Sequence, residues 1–77
     1  MGAFRLRKGQ TARICSIDVE HRSAPHLIEM GFTPGSSFEV IGASPFGDPL
    51  MLRLRGYSVA VRMRDLAALT VEGIAEA

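Results

Sequence analysis

Apolar and polar positions alternate in short bursts along this chain, and most bursts stop at a glycine, a proline or an aspartate. Bursts of about four to eight residues bounded in this way are strand signals. The first runs from Thr11 to Asp18, with Ala12 and Ile14 pointing one way and Arg13 and Cys15 the other. The alternation slips near Ile17, where a bulge fits. A second strand covers Ser37 to Ala43, with Phe38 and Val40 opposed to Glu39 and Ile41. Residues 50–55 and 58–63 form the next pair, and Gly56-Tyr57 between them matches the Gly-X preference of a type II′ hairpin turn. That register sets Leu54 against Val59, Leu52 against Val61 and Leu50 against Met63 on one face. Arg55, Arg53 and Arg62 then share the other face with Ser58, Ala60 and Met51. A slip by one residue would mix the two faces. Leu69 to Glu72 reads as a last short strand, and residues 73–77 as a tail.

Only Ser23 to Met30 carries a helical spacing. Ser23 suits the cap, Pro25 is tolerated in a first turn, and Gly31 suits the left-handed residue that ends a helix. Two turns do not persist without tertiary support, so this helix is expected to lie across an open end of the sheet. Asp65 caps a further brief turn through Leu66 and Ala67. Residues 1–10 read as a lead-in closed by Gly9, with Phe4 and Leu6 packing on the body. The expected fold is mainly β: a small SH3-like β-barrel of about five strands with one short helix after the first strand. An open half-barrel is the alternative, since closure is what removes exposed strand edges. Residues 1–77 make a single domain with its core in about 6–72.

Composition changes this picture little. A chain of 77 residues has too small an interior to divide, and little room for a deep site with a supporting shell. Its 47% hydrophobic and 22% charged content is that of a folded domain. Nine Lys and Arg against eight Asp and Glu leave a net charge of +1, whereas nucleic-acid modules usually carry a marked basic excess. The single cysteine, Cys15, has no partner for an internal disulfide. The longest uninterrupted apolar stretch, Leu66 to Leu69, is far below the roughly 20 residues of a membrane span. Charged Arg5, Arg7 and Lys8 are followed by no apolar signal core. Cytoplasmic residence without membrane insertion is the expectation.

Candidate chemistry is sparse. Cys15, His21 and His26 are the only residues from which a nucleophilic pair could be drawn, and a strand and a helix start seldom bring such groups together. No phosphate-cradling glycine loop occurs. Enzymatic activity is therefore not expected. His26 and Glu29 lie three apart on the helix with His21 just before it, a set able to hold iron or zinc with help from water; no cofactor is required by the pattern. The competing reading is a half-exposed helix with ordinary polar residues. Arg53, Arg55 and Arg62 offer planar guanidinium groups to an acidic partner or an RNA backbone, with Arg64 continuing the run. Tyr57 at the hairpin tip and Phe46 in the preceding loop are the apolar surface candidates. Small barrels also self-associate through unpaired strands, so a homo-oligomer is a further expectation.

Taken in order, Leu6, Gly9, Ala12, Ile14, Leu27, Met30-Gly31-Phe32, Pro34-Gly35 and Val40 lead to Pro45-Phe46-Gly47-Asp48-Pro49 and Gly56. Val59-Ala60-Val61-Arg62 and Ala67 follow. Over about residues 6–71 this series resembles the FeoA family of bacterial ferrous-iron transport. The resemblance implies an SH3-like barrel whose partner is the FeoB transporter, contacted at its cytoplasmic face or its G domain. It transfers no catalytic residue; Gly31, Pro34, Gly35, Pro45, Gly47, Asp48, Pro49 and Gly56 map to structure. FeoA-like domains also end iron-dependent repressors of the diphtheria-toxin-repressor type. With no helix-turn-helix segment here, a free-standing transport accessory is favoured over a metal-sensing repressor domain or a nucleic-acid-binding SH3-like module.

Overall fold

Short alternating segments cannot bury an apolar face alone, and here five of them pair into one antiparallel sheet. A computed structural model describes residues 6–76. In chain order these are β1 (Gln10–Ile17), α1 (Ala24–Met30), β2 (Ser37–Ala43), β3 (Leu50–Leu54), β4 (Tyr57–Val61), α2 (Met63–Leu66) and β5 (Leu69–Glu76). The hydrogen-bonded order is β4-β3-β2-β1-β5. No β4–β5 pairing occurs among the described residues, so the barrel stays open along that seam. Register shifts in the β1–β5 ladder and between Val40 and Gly42 in the β2–β3 ladder curl the sheet around its apolar side. Phe4, assigned to packing by the sequence, lies outside the described residues; Leu6 is buried.

The core collects alternate positions from every strand. Ala12, Ile14, Phe38, Val40, Leu50, Leu52, Leu54, Val61, Leu69 and Val71 all point inward, joined by Leu27 of α1 and Leu66 of α2. Phe32, just after α1, is fully buried and meets Phe38 edge-on, with ring centroids 5.9 Å apart. An edge-to-face pair places one ring's positive rim on the other's negative face. The helix thus plugs the core as its length required. No buried side chain is polar among the described residues, so every charged group is left for the surface.

Four expectations need correction. The hairpin turn is Arg55-Gly56, not Gly56-Tyr57: Leu54 pairs with Tyr57, Leu52 with Val59 and Leu50 with Val61. Both turn residues have positive φ, 53° at Arg55 and 85° at Gly56, which is the signature of a type I′ turn. The displacement is two residues, so each side chain keeps its face, but Arg55 leaves the strand for the turn and Arg62 leaves β4 for the cap of α2. Second, the tail is structural: β5 runs to Glu76, with Thr11 opposite Ala75 and Gln10 opposite Glu76. Third, the β1 bulge expected near Ile17 falls just before it, between Ile14 and Ser16, and a further shift that the sequence did not mark lies between Thr11 and Arg13. Fourth, Ser23 holds the N-cap position of α1 but its side chain makes no cap bond, and Asp65 lies inside α2, whose cap position is Arg62. The Ser23 hydroxyl donates to Asp65 at 2.5 Å, tying the start of α1 to α2.

Candidate functional site

Two of the exposed residues named by the sequence, Arg55 and Tyr57, meet where the hairpin tip reaches the end of α1. Gly31 closes α1 in a left-handed conformation, φ 104°, and its N–H bonds the Ile28 carbonyl. A side chain there would meet Leu54 Cδ2 at 3.3 Å and Arg55 Nε at 3.4 Å. Glycine is therefore required twice over, by backbone angle and by the closeness of the hairpin. The Tyr57 hydroxyl donates to the Met30 carbonyl, one of the C-terminal carbonyls that a helix leaves open. Arg55 donates to the Ser36 hydroxyl at 2.8 Å. The Thr33–Ser36 stretch beneath it is held by Gly35 N–H on the Ile14 carbonyl, 2.8 Å, and by Ser36 N–H on the Thr33 carbonyl, 3.0 Å. Pro34-Gly35 is thus the turn that carries the chain from α1 into β2. Around this junction Ile28 and Tyr57 are each 43% exposed.

The other two arginines of the expected face are occupied. Arg53 on β3 lies 3.7 Å from Glu39 of β2, its cross-strand neighbour. Arg62 lies 3.9 Å from Asp48. Asp48 also accepts the Met63 N–H at 2.9 Å, so it fastens the 44–49 loop to the start of α2. Within that loop Gly47 N–H bonds the Ser44 carbonyl and the Ser44 hydroxyl bonds the Asp48 carbonyl, at 2.8 and 2.6 Å. The Pro45-Phe46-Gly47-Asp48-Pro49 run is therefore a braced turn, and it holds Phe46 out at 95% exposure. The single arginine face reads instead as two ion-paired arginines and one, Arg55, that belongs to the helix–hairpin junction.

The metal set does not assemble. Among the described residues no three His, Cys, Asp or Glu side chains come close enough to hold an ion. His21 Nδ1 accepts the Ser23 N–H at 3.1 Å, while His26 and Glu29 stand exposed on α1. The helical spacing was right, but His21 sits in the bend before the helix and is bound into it.

Cys15 meets a carboxylate and no imidazole. Its thiol donates to Glu72 across β1 and β5 at 2.9 Å, and Arg13 reaches the other oxygen of Glu72 at 3.1 Å. The carboxylate that accepts the proton raises the Cys15 pKa above the ordinary thiol value, and the same bond lowers Glu72. A thiol held protonated is a poor nucleophile. Sequence reasoning passed over one further place. Arg22 and Arg64, two guanidinium groups without a side-chain partner among the described residues, flank the Ser23–Asp65 bond. The available signal was that Ser23 and Asp65, both cap-type residues, can satisfy each other instead of their own helices.

Among the described residues no helix is long and apolar enough to cross a membrane. Residues 5–73 match the FeoA domain family. A fusion protein of Porphyromonas gingivalis, Fe(2+) transport protein A/Fe(2+) transporter FeoB, is 31% identical over 72 residues; the match covers 94% of this chain and 8% of that protein. The chain thus spans under a tenth of the length of that curated relative. The solution structure of a FeoA-like protein from Clostridium acetobutylicum is 29% identical with a TM-score of 0.89, covering 94% of this chain and 84% of that one. Stenotrophomonas maltophilia FeoA, described as an SH3 domain protein and solved with zinc, is 24% identical with a TM-score of 0.79 over 94% and 89% of the two chains. That likeness supports the SH3-like fold. On the extent of the family match and the shared architecture, this chain belongs to the FeoA domain family.

Proposed function

We propose that this chain is a non-catalytic accessory of ferrous-iron uptake that works in the cytoplasm by docking on a FeoB-type transporter. The observation that carries this is covalent: in the P. gingivalis relative, a segment alignable with 94% of this chain belongs to the same polypeptide as the transporter. Two activities joined in one chain act at one place, and separate chains reach the same end by binding. The helix–hairpin junction is the docking surface. It offers Ile28 and the Tyr57 ring for burial and the Arg55 guanidinium for an acidic partner group, on a backbone held by the Gly31 and Pro34-Gly35 turns. Aromatic and arginine side chains are the types that dominate binding energy at protein interfaces. The ion pairs of Arg53 with Glu39 and Arg62 with Asp48 favour this reading over nucleic acid, because they leave less free positive charge for a phosphate backbone.

Docking alters transport only if it favours one transporter state over another. Calorimetric titration of the full chain into the soluble part of the FeoB-type transporter from the same genome tests the reading. Saturable heat and a co-eluting complex are expected. Absence of both, in the apo and the nucleotide-loaded transporter alike, overturns it.

A further inference from the structure

The bend before α1 and the helix α2 meet at a polar hollow of about 390 Å³, lined by His21, Arg22, Ser23, Arg64 and Asp65. We propose that this hollow is an oxyanion site that takes a phosphate group, independently of any docking at the helix–hairpin junction.

The pattern of ion pairs points there first. Arg7, Arg13, Arg53 and Arg62 each face an acid, and Arg55 donates to Ser36. Among the described arginines, Arg22 and Arg64 alone lack a side-chain partner, and both line the same hollow. One comes from the bend before α1 and the other from α2, so the fold gathers them; adjacency in sequence does not.

The floor is fixed. The Ser23 hydroxyl donates to Asp65 at 2.5 Å and clamps the two walls together. His21 Nδ1 accepts the Ser23 N–H at 3.1 Å, so the proton of the neutral ring sits on Nε2 and that nitrogen is a donor. Asp65 is the one acid on the lining, and Ser23 occupies one of its oxygens. Against its single negative charge stand two guanidinium groups, which leaves the hollow net positive before His21 is counted.

Donor number decides the ligand class. Two guanidinium forks and an imidazole N–H present more donors than the two oxygens of one carboxylate can accept in planar geometry. A phosphate group, with three or four oxygens, fits that supply. The openness of the hollow allows the phosphate to be free or carried on a small molecule.

The test uses the nitrogen-15-labelled full chain and follows amide shifts during titration with inorganic phosphate. Ionic strength is held constant with chloride, and AMP is used in a parallel arm. Saturable shifts centred on Arg22, Ser23, Arg64 and Asp65 are expected in at least one arm; tighter binding of AMP than of phosphate identifies a carried phosphate, and equal or weaker binding identifies the free ion. Arg22→Gln with Arg64→Gln weakens the response by about ten-fold or more, as loss of a charge-assisted contact does. Arg7→Gln with Arg53→Gln removes the same charge elsewhere and leaves it within about two-fold. The amide spectrum of each variant reports that it is folded. Linear drift matching chloride in both arms, or equal weakening by the two double variants, overturns the proposal.

Discussion

At the scale of single residues, the most informative contact joins Cys15 to Glu72. Both groups are exposed, yet the thiol is held in its protonated form because the carboxylate accepts its hydrogen, with Arg13 keeping that carboxylate charged. The sign of the pH effect follows. Glu72 has its pKa lowered, so its share of stability is present above the ordinary carboxylate range and fades as pH falls through the lowered value. The Cys15 pKa is raised, so its share is full below the ordinary thiol range and fades as pH climbs through the raised value. Reactivity should follow the same bond. Alkylation of Cys15 by iodoacetamide is expected to be slow at neutral pH, with its midpoint above that of a free cysteine. Glu72→Ala should move the midpoint down, because it removes the acceptor and leaves the Arg13 charge beside the thiolate. A midpoint unchanged by Glu72→Ala, measured by mass spectrometry across pH, would show that the thiol–carboxylate bond does not persist in solution.

At the scale of elements, legibility in the sequence depended on whether a decision was local. β2 occupies the residues its alternation marked, because Phe38 and Val40 against Glu39 and Ile41 leave one choice of face. Gly31 ended α1 as expected, since few other residues accept φ 104° beside Leu54. The hairpin register was not local. Gly56 serves equally as the first residue of a II′ turn or the second of a I′ turn, and both keep the leucines and valines inward. What separates them is Tyr57, which as a strand residue reaches the Met30 carbonyl, a partner 27 positions away. β5 was cut short in the sequence reading for a similar reason: Gly73 looks like an end, yet at φ 63° it permits an irregular step, after which pairing with β1 resumes. The site shows the same division. Residue types on the exposed surface were legible, but ion pairs across strands and the Ser23–Asp65 link depend on the fold. Removing residues 73–77 tests the β5 extension. It strips the Thr11–Ala75 and Gln10–Glu76 pairing and the half-buried Ile74 from the core, so a loss of about 1–2 kcal/mol is expected. Urea unfolding compared with the full chain measures it; an unchanged midpoint would return those residues to the status of a tail.

At the scale of the whole molecule, a radius of gyration of 11.0 Å leaves one apolar interior and a surface on which every charge of the described residues resides. Among the described residues, two exposed aromatics compete for the role of docking anchor. Phe46 is the more exposed, but it stands alone on a braced loop tip. Tyr57 is half covered, held to Met30, and placed with Ile28 and Arg55 on the joined ends of α1 and the hairpin. Anchors work when they are already fixed and ringed by other contacts, because less side-chain freedom is lost on binding. The junction therefore outranks the loop. Ile28→Ser with Arg55→Glu should weaken binding to the transporter's soluble part by about ten-fold or more, the effect of roughly 1.4 kcal/mol. The fold should tolerate this pair: Ile28 is 43% exposed, and Glu at position 55 faces the same positive-φ cost that Arg already bears. Phe46→Ser should leave affinity within about two-fold. The reverse pattern in the same titration would move the anchor to the 44–49 loop, and equal effects would mean that one continuous surface spans both.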